Sequence, residues 1–89
     1  IPQTYTLQQN YPNPFNPVTN INFSVPKTGV VKLTIYDAAG REAAVLFNGE
    51  LSAGTYNYDF DASQLASGIY FYKLESNDFS QTKKMVLIK

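Results

Sequence analysis

The chain has 89 residues, 44% of them hydrophobic, and its seven basic side chains cancel its seven acidic ones. That composition describes one small globular domain, not a disordered segment, and the balanced charge argues against a nucleic-acid partner. Cys and His are absent, which excludes disulfides and thiolate metal sites and removes the commonest general base and metal ligand.

No apolar run approaches the roughly 20 residues of a membrane span, and no signal-peptide pattern opens the chain. It begins "IPQTYTL" without Met, as expected of a piece of something longer. Residues 1–8 read as the end of a linker and a first strand, and residues 9–89 as the domain proper. The domain starts with "QNYPNPFNP", Gln9 to Pro17, in which Pro12, Pro14 and Pro17 donate no backbone hydrogen bond and fix their own φ. Each also biases the residue before it, Tyr11, Asn13 or Asn16, toward extended geometry. The expectation is a stiff, extended segment, poor in hydrogen bonds, pinned to the domain by burial of both Tyr11 and Phe15.

Period-two alternation then runs through most of the chain. Ile21, Phe23 and Val25 alternate with polar residues in "TNINFSV". Val31, Leu33 and Ile35 do so in "VVKLTIYD", and Tyr56, Tyr58 and Phe60 in "TYNYDFD". "REAAVLFNG" reads as a strand, bulged, with Ala43 and Leu46 inward. "GIYFYKLES" and "KKMVLIK" are strand-like without clean alternation. Turn signals separate these runs at "PKTG", "DAAG", "SAG" and "SNDFS", and "SQLAS" (63–67) reads as a helical turn. Gly40, Gly54 and Gly68 fall at such breaks. About seven short strands with turns roughly every ten residues predict an all-β, immunoglobulin-like antiparallel β-sandwich. In "LASGIY", Tyr70 stands where sandwich domains place a tyrosine whose hydroxyl bonds to the backbone just upstream.

Little in the sequence points to chemistry. Asp59 and Asp61 are spaced to share a strand face, but they read more simply as a solvated strand residue and a turn former. Asp37, Asp59, Asp61 and Asp78 are oxygen donors without the dense spacing of a calcium loop. Tyr36, Phe71 and Phe79 are the aromatics available to stack on sugar, although Trp is absent. No catalytic, cofactor-binding or metal-binding residue is assigned. "TKKMVLIK" reads either as a last strand whose lysines guard an edge or as an exposed recognition strand.

Together, "YPNPFNP", "IYDAAG", "SGIYFYKL" and "KKMVLIK" occur in an order and spacing that resembles the C-terminal sorting domain, type A, of the type IX (Por) secretion system, over residues 7–89. The resemblance implies a sorting signal rather than an enzyme. It implies a cargo fused to the N-terminal side, transit through the periplasm, and passage through the outer-membrane translocon to the cell surface of a Gram-negative bacterium. It also implies removal by a sortase-like surface protease. Its terminal strand corresponds to Lys83, Lys84, Met85, Val86, Leu87, Ile88 and Lys89, the candidate translocon-recognition residues. The motif residues Tyr11, Pro12, Asn13, Pro14, Phe15, Gly40, Gly54, Gly68 and Tyr70 are expected to be structural. A reachable last strand also invites a strand-swapped dimer. The competing readings are an accessory or sugar-binding sandwich of a secreted enzyme and a structural immunoglobulin-like module.

Overall fold

A computed structural model describes residues 2–89. The strands, in chain order, are β1 (Thr6–Leu7), β2 (Val18–Val25), β3 (Gly29–Asp37), β4 (Glu42–Leu51), β5 (Gly54–Asp61), β6 (Gly68–Ser76) and β7 (Phe79–Leu87). All strand pairs are antiparallel, in two sheets ordered β1-β2-β5 and β4-β3-β6-β7. The result is an immunoglobulin-like β-sandwich, and "SQLAS" forms no helix. Only one tight turn stands there, closed by the Leu65 amide donating to the Ala62 carbonyl at 3.0 Å.

Alternation delivers the core. Ile21, Phe23 and Val25 of β2 and Val31, Leu33 and Ile35 of β3 are buried, as are Tyr70, Tyr72 and Leu74 of β6 and Met85 and Leu87 of β7. From β5 only Phe60 is fully buried; Tyr56 and Tyr58 pack against the cluster while keeping part of their surface in water. The Tyr56 ring stacks on Phe23 with centroids 5.6 Å apart.

β4 departs from the simple pattern. Leu33 pairs with Phe47 but Thr34 with Val45, and Ile35 pairs with Ala44 but Tyr36 with Glu42. Leu46 and Ala43 are therefore the extra residues of two bulges, each of which shifts the phase of the strand. Ala43 is consequently exposed, against the inward placement expected for it, while Ala44, Leu46 and Phe47 lean on the core.

The proline segment also differs from expectation. Phe15 is buried, its ring 6.2 Å from Phe60, but Tyr11 is 81% exposed. The reason is parity. Tyr11 bridges Asn20 of β2 through reciprocal backbone hydrogen bonds. Directly opposed residues share a face, and Asn20 faces outward, its side chain bonded to Asp59 on β5. The segment is bent at several residues rather than straight, all three of its X–Pro bonds are cis, and it is rich in hydrogen bonds.

Candidate functional site

β7 carries most of the candidate recognition residues, and the fold places it at the edge of the four-stranded sheet, where β6 is its strand neighbour. Met85 and Leu87 fill the core, Lys83 and Val86 are half-buried, and Lys84, Ile88 and Lys89 are exposed. The segment is not a free tail. The Lys89 amide donates to Ser67 Oγ at 3.0 Å and its Nζ to the Ser63 carbonyl at 2.7 Å.

The outer edge of β7 is partly occupied by the proline segment. The Phe15 amide donates to the Val86 carbonyl, and the Ile88 amide donates to the Phe15 carbonyl, both at 3.0 Å. This makes Phe15 a one-residue parallel strand beside Leu87. Asn13 Oδ1 accepts from the Val86 amide at 3.0 Å, and Gln9 Nε2 donates to the Lys84 carbonyl at 2.7 Å. Since Val86 and Ile88 turn their amides outward, alternation turns those of Lys84, Thr82 and Ser80 outward as well. From Ser80 to the Lys84 amide, the outward backbone groups have no such cover among the described residues. Lower down, Tyr5 stacks on Phe79 at 4.8 Å and accepts a hydrogen bond from Asn77 Nδ2.

A buried polar network fastens the segment to both sheets. The Tyr72 hydroxyl donates to the Gln8 carbonyl at 2.6 Å and accepts from the Asn10 amide at 2.8 Å. Asn10 Nδ2 donates to Thr19 Oγ1 at 3.0 Å, and Thr19 Oγ1 donates to the Pro12 carbonyl at 2.8 Å. Asn10 and Thr19 are almost wholly buried. Burial pushes the Tyr72 hydroxyl up to about 12, against the smaller opposing pull of the Asn10 amide. Asn10 and Tyr72 did not stand out in the sequence as polar contacts, because the bonds of Asn10 to Tyr72 and of Tyr72 to Gln8 span 62 and 64 residues.

The remaining candidates serve turns. The Tyr70 hydroxyl donates to the Ala66 carbonyl at 2.7 Å, forming the corner contact upstream of β6. Gly40 has φ +87°, a backbone conformation that favours glycine, and closes "DAAG" by donating to the Asp37 carbonyl. Gly54 needs no positive φ; it begins β5 opposite Val25. Gly68 begins β6 with φ +154°. Asp37 Oδ1 accepts the Arg41 and Ala39 amides, and the Arg41 amide is the main reason its carboxyl sits below the usual value. Hydrogen bonds from the Ser63 side chain and then its amide do the same for Asp61. Asp59 accepts from Asn20, so the two strand carboxylates are engaged separately. Among the described residues no three acidic side chains gather into a metal-binding group. Tyr36, Phe71 and Phe79 are each half-buried rather than an open aromatic row.

The molecule is thus a small immunoglobulin-like sandwich whose most distinctive feature is a structured edge strand strapped by the start of the domain. The chain belongs to the family of secretion system C-terminal sorting domains, whose model matches residues 9–89. No curated protein matches it. Membership makes it a C-terminal sorting signal of the type IX secretion system, which works with that machinery and a fused upstream cargo. It implies export to the cell surface or beyond in a Gram-negative bacterium.

Proposed function

We propose that the domain directs a cargo on its N-terminal side from the periplasm through the outer-membrane translocon, after which a sortase-like surface protease removes it. It acts as a signal and performs no chemistry of its own. The match of residues 9–89 to the sorting family carries this reading. Lys83 to Lys89 form the recognition element, and the uncovered outer edge of β7 from Ser80 to Lys84 is where a translocon strand adds. Lys83 and Lys84 bias that partner toward acidic residues. Exchange of β7 between copies yields a strand-swapped dimer at high concentration.

Deleting residues 83–89 from a cargo fusion is expected to leave the cargo in the periplasm. Because that deletion also removes Met85 and Leu87 from the core, Thr82→Pro supplies the cleaner variant. It removes one outward amide at a position where an edge strand tolerates proline. A folded Thr82→Pro domain with reduced display supports strand addition. Normal surface display after the deletion would sink the sorting assignment of this segment.

A further inference from the structure

We infer that the proline segment is a releasable strap that closes the C-terminal half of the β7 edge, so that this half is offered for pairing only when the strap lets go. The inference rests on the proposed role of β7 as the recognition strand. Four backbone groups of β7 point outward between Lys84 and Ile88 and are met by the strap: the Lys84 carbonyl by Gln9 Nε2, the Val86 amide by Asn13 Oδ1, and the Val86 carbonyl and Ile88 amide by Phe15. The last two reproduce what an incoming parallel strand would make. The strap therefore occupies the position of an added strand and competes with one.

The contacts divide into a firm part and a weak part. Asn10 is buried and held by Tyr72 and Thr19, and the Phe15 ring is buried beside Phe60. Gln9, Asn13 and Asn16, by contrast, are exposed. Local opening draws on such exposed hydrogen bonds before the core yields. The strap can open from Asn13 through Phe15 while Asn10 keeps it attached, and the buried Phe15 ring sets the main cost of that release. Opening would extend the free edge from Ser80–Lys84 to Ser80–Ile88, nearly doubling the length available to a partner strand.

Residue-resolved amide exchange on the whole chain tests this, comparing wild type with Asn13→Ala. In wild type the Val86 and Ile88 amides should be protected relative to Thr82, yet exchange faster than the Leu33 and Ile35 amides in the core. Asn13→Ala should speed exchange at Val86 and Ile88 about two- to tenfold, the worth of one hydrogen bond, and leave Met85, Leu33 and Ile35 unchanged. If Val86 and Ile88 exchange only with the core, or as fast as Thr82, the strap inference fails. In a cargo fusion, Asn13→Ala should shorten the time to surface appearance at least about twofold, on the same hydrogen-bond scale. An unchanged time despite faster Val86 exchange would break the link to sorting. Display that survives deletion of residues 83–89 would instead overturn the role of β7 itself, so the two failures are distinguishable.

Discussion

Tyr72→Phe isolates one hydroxyl that joins the two sheets to the start of the domain. Its ring is fully buried and would stay so as Phe. The lost oxygen donates to the Gln8 carbonyl and accepts from the Asn10 amide. Gln8 is exposed, so water can replace the first bond at little cost. Asn10 is 2% exposed, so its amide is stranded without a partner. A stranded buried donor costs about 1–3 kcal/mol, against a total stability of about 4–13 kcal/mol for a chain this long. At about 2 kcal/mol the melting temperature should fall by about 8–16 °C. Thermal and guanidinium unfolding followed by circular dichroism would measure it, with Tyr70→Phe for comparison. The Tyr70 hydroxyl serves only the carbonyl of exposed Ala66, so its loss should cost less. The Tyr72 hydroxyl also sets an alkaline limb. Its folded-state value, raised to about 12, exceeds the ordinary tyrosine value near 10. The unfolded chain therefore loses this proton first, and stability fully present below pH 10 drains away as pH rises from about 10 to about 12. Tyr72→Phe should flatten that limb. A loss under about 0.5 kcal/mol, well below the cost of a stranded donor, together with an unchanged alkaline limb, would refute the bridging role.

Phe15→Ala and Tyr11→Ala should separate sharply although they stand four residues apart in one motif. The first empties a buried ring site and should cost about 3–5 kcal/mol, and the second, with its ring in water, should change stability by less than about 0.5 kcal/mol; chemical denaturation of both variants checks the contrast. Thr34 is fully buried, and its Oγ1 has no hydrogen-bond partner among the described residues. Thr34→Val keeps the β-branched shape, removes the orphan hydroxyl and should stabilise by about 1 kcal/mol, read as a higher denaturation midpoint at unchanged slope.

What the sequence made legible was whatever depends on neighbours in the chain. Alternation located Ile21, Phe23, Leu33 and Ile35 in the core because strand parity is local. Tyr70 was legible for the same reason, since its acceptor lies only four residues upstream. Tyr11 was not, because its face is set by pairing with Asn20 rather than by its own aromatic character. Ala43 was misplaced because two bulges reset the phase of β4, and a bulge site is fixed by the partner strand. Asn10 carries no apolar pattern and Thr19 is a polar residue in phase with Ile21 and Phe23, yet both are buried, since a polar side chain tolerates burial once its hydrogen bonds are met. The family resemblance picked out "KKMVLIK" but not its cover, which comes from the far end of the chain.

That cover has a physical consequence for how the signal is assembled. The contacts of Asn13 with Val86 and of Gln9 with Lys84 span 73 and 75 residues of sequence. Contacts of such separation repay their loop-closure entropy only after the intervening strands have paired. The edge of β7 therefore takes its native form when both sheets are in place and the Tyr72–Asn10 bond has fixed the start of the strap. A chain missing its first segment, or with one sheet unformed, would still contain every residue of "KKMVLIK". It would lack the geometry in which those residues alternate between core and edge. The recognition strand is in this sense a property of the folded domain, and its first and last segments define it jointly.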